Sequence, residues 1–154
     1  MFGHRIIWSA VIIVALGSVG IWYINAGMLT PQSVRLAPSD PHVIALGETI
    51  YGDHCAVCHG VNLEGQPNWR QRNEDGRLPA PPHDASGHTW HHPDAQLFDM
   101  MKHGIAAIAG GDYQTDMPIY EDVLSDDEVI AVLSYIKSTW PPEVQAQHDS
   151  LNPL

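Results

Sequence analysis

The sequence is short of positive charge: Lys and Arg number 7 against 18 acidic residues, for a formal net charge of -11 over 154 residues. A surface so anionic repels a phosphate backbone, which argues against nucleic acid as a partner and for basic or cation-bearing ones. Acids are absent from the first 39 positions, so that charge belongs wholly to the later part of the chain. Cysteine is scarcer still, at 2, which leaves no second pair for a four-cysteine zinc site. No strand-like alternation of useful length and no internal repeat is present. Nor can paired carboxylates or a nucleophile and its base be placed, so the pattern does not read as an enzyme active site. What the chain has in quantity is turn-forming residues, 12 Pro and 13 Gly. These imply long irregular loops, and loops of that kind are often organised by a ligand.

Residues 6 to 24 carry no charge. At about 1.5 Å per residue this run is long enough to cross a hydrocarbon layer of roughly 30 Å. Trp8 lies near one end, and Trp22 with Tyr23 near the other, as aromatic belts do at the two interfaces. Ile24-Asn25-Ala26 would serve as a signal cleavage site, but the run exceeds the roughly 7 to 15 apolar residues of a signal core. The expectation is therefore an anchor over residues 1 to 25, with Arg5 on the cytoplasmic side and the acidic domain outside. Residues 26 to 40, with Gly27, Pro31, Ser33, Pro38 and Ser39, read as a linker. Residues 41 to 142 read as one domain and 143 to 154 as a tail.

Asp40-Pro41 supplies an N-cap and a first helical residue, and Ile44, Gly47 and Tyr51 then share one face, which predicts a helix over residues 41 to 52. From 60 to 92 the Gly, Pro, Asn and Asp punctuation predicts loop. A shorter helix starts at Pro93 and stops at Gly104. Ser125-Asp-Asp-Glu128 is a capping box, and Val129, Val132, Leu133, Ile136 and Trp140 follow at helical spacing until Pro141-Pro142.

Between the first helix and the long loop stands Cys55-Ala-Val-Cys58-His59, which holds both cysteines. A disulfide there would close a tiny loop and stabilise little. A redox dithiol wants a strand before it, and the preceding segment is helical. A zinc site of two Cys and two His is arithmetically open. Cys-x-x-Cys-His is, by contrast, the attachment sequence of c-type haem: the thiols reach two vinyl groups and the histidine turns toward the iron. Candidates for the sixth iron position are Met100, Met101, Met117 and the histidines after His59. Met100 and Met101 fall on a helix that needs apolar side chains. Met117 does not, lying in the non-helical stretch Gly110 to Tyr120 beside Pro118, and is the better candidate.

Gly47-x-x-x-Tyr51, Cys55-Ala-Val-Cys58-His59-Gly60, Asp116-Met117-Pro118-Ile119-Tyr120 and the run from Leu124 to Ile136 together resemble the class I c-type cytochromes over about residues 41 to 142. The resemblance implies an all-α fold wrapped around one covalent haem c. Its first and last helices would cross near Gly47, with Tyr51 meeting Tyr135 or Ile136. It further implies a proline carbonyl that accepts a hydrogen bond from the proximal histidine. Pro81 is the choice for that role, with His83 and Ala85 standing where the family often has Leu and Gly.

The run His83-Asp-Ala-Ser-Gly-His88-Thr-Trp90-His91-His92 admits three readings: a transition-metal site, a haem environment in which Trp90, with His88 or Arg77, donates to the propionates, and a solvated loop in which one His caps the next helix. With His59 and Met117 as axial ligands, the expected role is outer-sphere electron transfer without enzyme activity. The expected partners are redox proteins with basic docking patches. A fixed subunit of a larger respiratory complex, and a haem sensor or metal-handling protein, are the alternatives.

Overall fold

The computed structural model describes residues 34–152, and within them every regular element is helical. The uncharged run at 6 to 24 lies outside the described residues. Among those described, no helix is long and apolar enough to cross a membrane. Helix α1 spans Pro41–His54. The Asp40 carboxylate accepts from the His42 and Val43 amides at 2.9 and 3.3 Å, satisfying two of the donors that a helix start leaves open. The helix runs two residues past the expected end, through Gly52, to a cap at Cys55 whose amide donates to the Tyr51 carbonyl at 2.9 Å.

A single-turn helix, α2 (Ala56–His59), follows at once, and a 3₁₀ turn at Thr89–His91 interrupts the expected loop. Helix α3 (Asp94–His103) ends at Gly104, whose φ of 88° suits glycine. A short apolar helix absent from the sequence reading, α4 (Ile105–Ala109), comes directly after it. Helix α5 (Asp126–Ser138) opens with the expected capping box. Ser125 Oγ accepts from the Glu128 amide at 3.4 Å, while Glu128 Oε2 accepts from the Ser125 amide at 2.8 Å. It stops two residues before Trp140.

The stretch read as a tail holds a helix, α6 (Pro142–Asp149). Pro141-Pro142 ends α5 but also starts α6, since proline at N1 gives up only an amide that has no helical partner. The linker reading is likewise shortened. Leu36 N–H donates to Asp94 Oδ2 at 3.0 Å and Ala37 N–H to Ser134 Oγ at 2.9 Å, so the chain is pinned to the domain before α1 begins.

Helices α1 and α5 form the frame. Gly47 faces Ala131, and a β-carbon at Gly47 would overlap the Ala131 carbonyl, so only glycine permits this crossing. Tyr51 packs on Tyr135 there with ring centroids 5.5 Å apart. Val129, Val132, Leu133, Ile136 and Trp140 are buried beneath the crossing, as their spacing predicts. Lys102 Nζ donates to the Glu121 and Leu124 carbonyls at 3.2 and 3.1 Å, tying the end of α3 to the approach to α5.

Candidate functional site

Cys55 ends α1 and caps α2, so the two thiols are separated by one helical turn: the Cys58 and His59 amides both donate to the Cys55 carbonyl, at 3.1 and 2.9 Å. Both cysteines are free, Cys55 buried and Cys58 exposed. Burial pushes the Cys55 thiol up to about 11, and nearby Cys58 adds to the rise. A redox dithiol depends on the opposite, a thiol whose pKa is lowered. Among the described residues, no group of three or more His, Cys, Asp or Glu is placed to hold a metal ion.

His59 is buried, and its Nδ1 lies 2.8 Å from the Pro81 carbonyl oxygen. A carbonyl only accepts, so Nδ1 carries the proton and Nε2 presents a lone pair. Burial pulls the His59 pKa down, partly offset by the Pro81 bond, which favours the neutral form that a metal ligand requires. Pro81 is brought to His59 by a zip of backbone bonds. The His83 amide donates to Leu63 O at 2.8 Å, Gln66 to Ala80 O at 2.8 Å, and Gly65 to His59 O at 2.8 Å. Gly65 has a φ of 68°, and a β-carbon there would overlap Pro81 and Pro82. Two tyrosines close the frame, with Tyr51 Oη donating to Gly60 O at 2.8 Å and Tyr120 Oη to His54 O at 3.1 Å.

Met117 lines a cavity of about 310 Å³ with Ile105, Ala106, Tyr113, Ile119 and Arg77. Met101 is instead part of the core, and neither it nor Met100 lines this cavity. Arg77 pairs with Asp116, the residue before Met117, and its Nε is buried with no hydrogen-bond partner.

The other expected haem neighbours are differently engaged. Trp90 Nε1 donates to Ala85 O at 3.3 Å and its ring stacks on His91, so its N–H is already used within the loop. His88 is exposed and stacks on Trp69. No histidine caps α3; the Asp94 amide donates instead to Asn152 Oδ1 at 2.8 Å. Two contacts escaped the sequence reading. The His83 ring stacks on His59 at 4.0 Å, and Trp140 Nε1 donates to His83 O at 2.8 Å. The only signal for the first was that a histidine replaces the expected leucine.

A family model described as Cytochrome c matches residues 44–140. The chain belongs to the cytochrome c family, in its class I form. The cytochrome is similar to the Cbb3-type cytochrome c oxidase subunit FixP of Bradyrhizobium diazoefficiens, 27% identical over 116 residues, covering 71% of this chain and 36% of that one. It is also similar to FixP of Bradyrhizobium sp. strain ORS 278, 25% identical over 116 residues with the same coverage of 71% and 36%. FixP of Sinorhizobium medicae is 38% identical over 48 residues, 25% of this chain and 17% of its own. The cytochrome thus spans at most about a third of the length of these relatives. No solved structure matches it.

Membership makes the cofactor haem c, bound covalently at Cys55 and Cys58. The residues present fit the group: two unpaired thiols a helical turn apart, an imidazole whose Nε2 is bare, and a buried guanidinium Nε that lacks an acceptor.

Proposed function

We propose that the cytochrome carries single electrons as a mono-haem protein with His59 and Met117 as its axial ligands, tethered to the outer face of a bacterial inner membrane. The observation that carries the reading is the His59 Nδ1 to Pro81 O bond, which leaves Nε2 as a fixed neutral donor in the residue directly after Cys58. Haem c supplies the one-electron iron couple when bound, and methionine with histidine raises its potential. The chain does the rest. When haem is bound, Cys55 and Cys58 would hold it by thioethers, Pro81 would keep His59 oriented, and Met117 would join His59 as the second side chain on the iron. Arg77 Nε supplies a donor for a carboxylate. With His59 and Met117 both holding the iron, transfer would be outer-sphere and would call on no acid, base or nucleophile of the chain.

Val57 and Val61 flank Cys58-His59 and are 85% and 73% exposed. They supply an apolar contact area next to an anionic surface, which suits a redox partner with a basic docking patch. The uncharged run at 6 to 24 supports the tether, which would raise the effective concentration of membrane-bound donors and acceptors.

Optical spectra of the oxidised and reduced protein test the ligand set. Met117→Ala should lose the methionine-to-iron charge-transfer band; an unchanged spectrum would move the ligand elsewhere. A second reading, a fixed subunit of a larger oxidase, is favoured by the similarity to FixP, itself a subunit of a Cbb3-type cytochrome c oxidase. Purification in mild detergent separates the two, since a free carrier should elute alone and a subunit with its complex.

A further inference from the structure

The His59 imidazole has one in-plane restraint, the bond to Pro81 O. A carbonyl accepts over a broad range of directions, so that bond alone leaves the ring free to rock. A second imidazole removes the freedom. His83 lies against the face of His59 with centroids 4.0 Å apart and planes 24° from parallel. His83 is itself held from several sides. Its amide donates to Leu63 O at 2.8 Å, its carbonyl accepts from Trp140 Nε1 at 2.8 Å, and its Nδ1 lies 2.8 Å from Oγ1 of buried Thr89. Tyr51 approaches its ring edge-on at 6.3 Å, 74° from parallel. These contacts come from the loop after the attachment turn, the segment just beyond α5, the 3₁₀ turn and α1. A leucine at the same place would present no flat face to His59 and no nitrogen to Thr89.

We propose that His83 is a positioning residue for the iron ligand: stacked on His59 and anchored by Thr89, it fixes the rotational setting of the proximal imidazole plane. The inference rests on the reading of His59 as an iron ligand. The orientation of that plane decides how the iron d orbitals split, and hence where unpaired spin lies around the ring of the ferric protein. Spectra of the ferric haem protein therefore read the setting directly.

The test is electron paramagnetic resonance and proton NMR of the ferric holoprotein for wild type, His83→Leu, His83→Phe and Thr89→Val. His83→Leu should shift the low-spin g values and redistribute the haem-methyl resonances. His83→Phe, which restores a flat ring, should return them most of the way to wild type. Thr89→Val releases the anchor while keeping the side-chain volume, and should shift them in the same direction as His83→Leu by a smaller amount. Wild-type spectra in His83→Leu, or an equal departure in His83→Phe, would overturn the proposal. Should His83→Leu fail to accumulate, wild-type spectra in Thr89→Val would overturn it alone. His59→Ala separates this inference from the one beneath it. A low-spin wild-type signal that survives His59→Ala sinks the ligand assignment, whereas loss of that signal alongside unchanged His83→Leu spectra sinks only the positioning role.

Discussion

His148 shows what a single buried residue contributes away from the haem. It is 0% exposed, its Nε2 donates to the His92 carbonyl at 3.0 Å, and its Nδ1 has no partner. Asp94 Oδ1 stands 3.5 Å from Nε2, and Lys137, paired with Asp149, is also close. Burial lowers the His148 pKa, the Lys137 charge lowers it further, and Asp94, the His92 carbonyl and Asp149 act in the opposite direction. The folded protein therefore binds a proton here less readily than the unfolded chain. The stabilisation is complete above the unfolded value near 6.5 and is lost as pH falls below it. Thermal melts should show a wild-type midpoint that drops between about pH 7 and pH 5, and His148→Gln should remove part of the drop. An identical pH dependence in the variant would exclude His148 as a source.

The helices divide into those that their own residues announce and those that they do not. α1 and α5 were legible because cap, period and crossing agree: Asp40, Gly47 and Ser125 each act within their own element or on one neighbour. α4 is too short to show a period, and the start of α6 was hidden because a proline pair reads first as a stop. At the site, Cys55, Cys58 and His59 are fixed by adjacent spacing. Pro81, His83 and Trp140 depend on contacts across 22 to 57 positions, which periodicity does not encode. Gly47 and Gly52 make a matched test on α1. Gly47→Ala forces a β-carbon into the Ala131 carbonyl and should cost about 1–3 kcal/mol in chemical unfolding. Gly52→Ala meets nothing within 4 Å and should instead stabilise by about 0.5–1 kcal/mol. Ser125→Ala, which removes half of the capping box, should cost about 1 kcal/mol by the same measurement.

Across the described domain, α6 and the turn after it act as a strap. Asn152 accepts from the Asp94 amide, His148 reaches the His92 carbonyl, and Asp149 pairs with Lys137 of α5, so three side chains at the end of the chain join α3, the histidine loop and α5. A chain ending at residue 141 should lose cooperativity in urea and show solvent-exposed Trp140 fluorescence; an unchanged midpoint would make α6 dispensable. The net charge of -11 makes a second prediction at this scale. The rate of electron exchange with a basic partner should fall steeply between about 10 mM and 200 mM salt, and a flat profile would remove charge from the account of docking.

The two sides of the site are held by different kinds of bond. Pro81 is secured by backbone hydrogen bonds between residues 63–66 and 80–84, whereas the approach to Met117 is fastened to the neighbouring loop by the half-exposed Arg77–Asp116 pair. Salt weakens the second kind far more than the first. Were Met117 and His59 to hold the haem iron as proposed, the Met117 side would loosen first, under salt or mild denaturant, while the Pro81 bond kept His59 in place. Arg77→Gln should then bring that loosening, read as binding of an added small ligand to the haem protein, to lower salt.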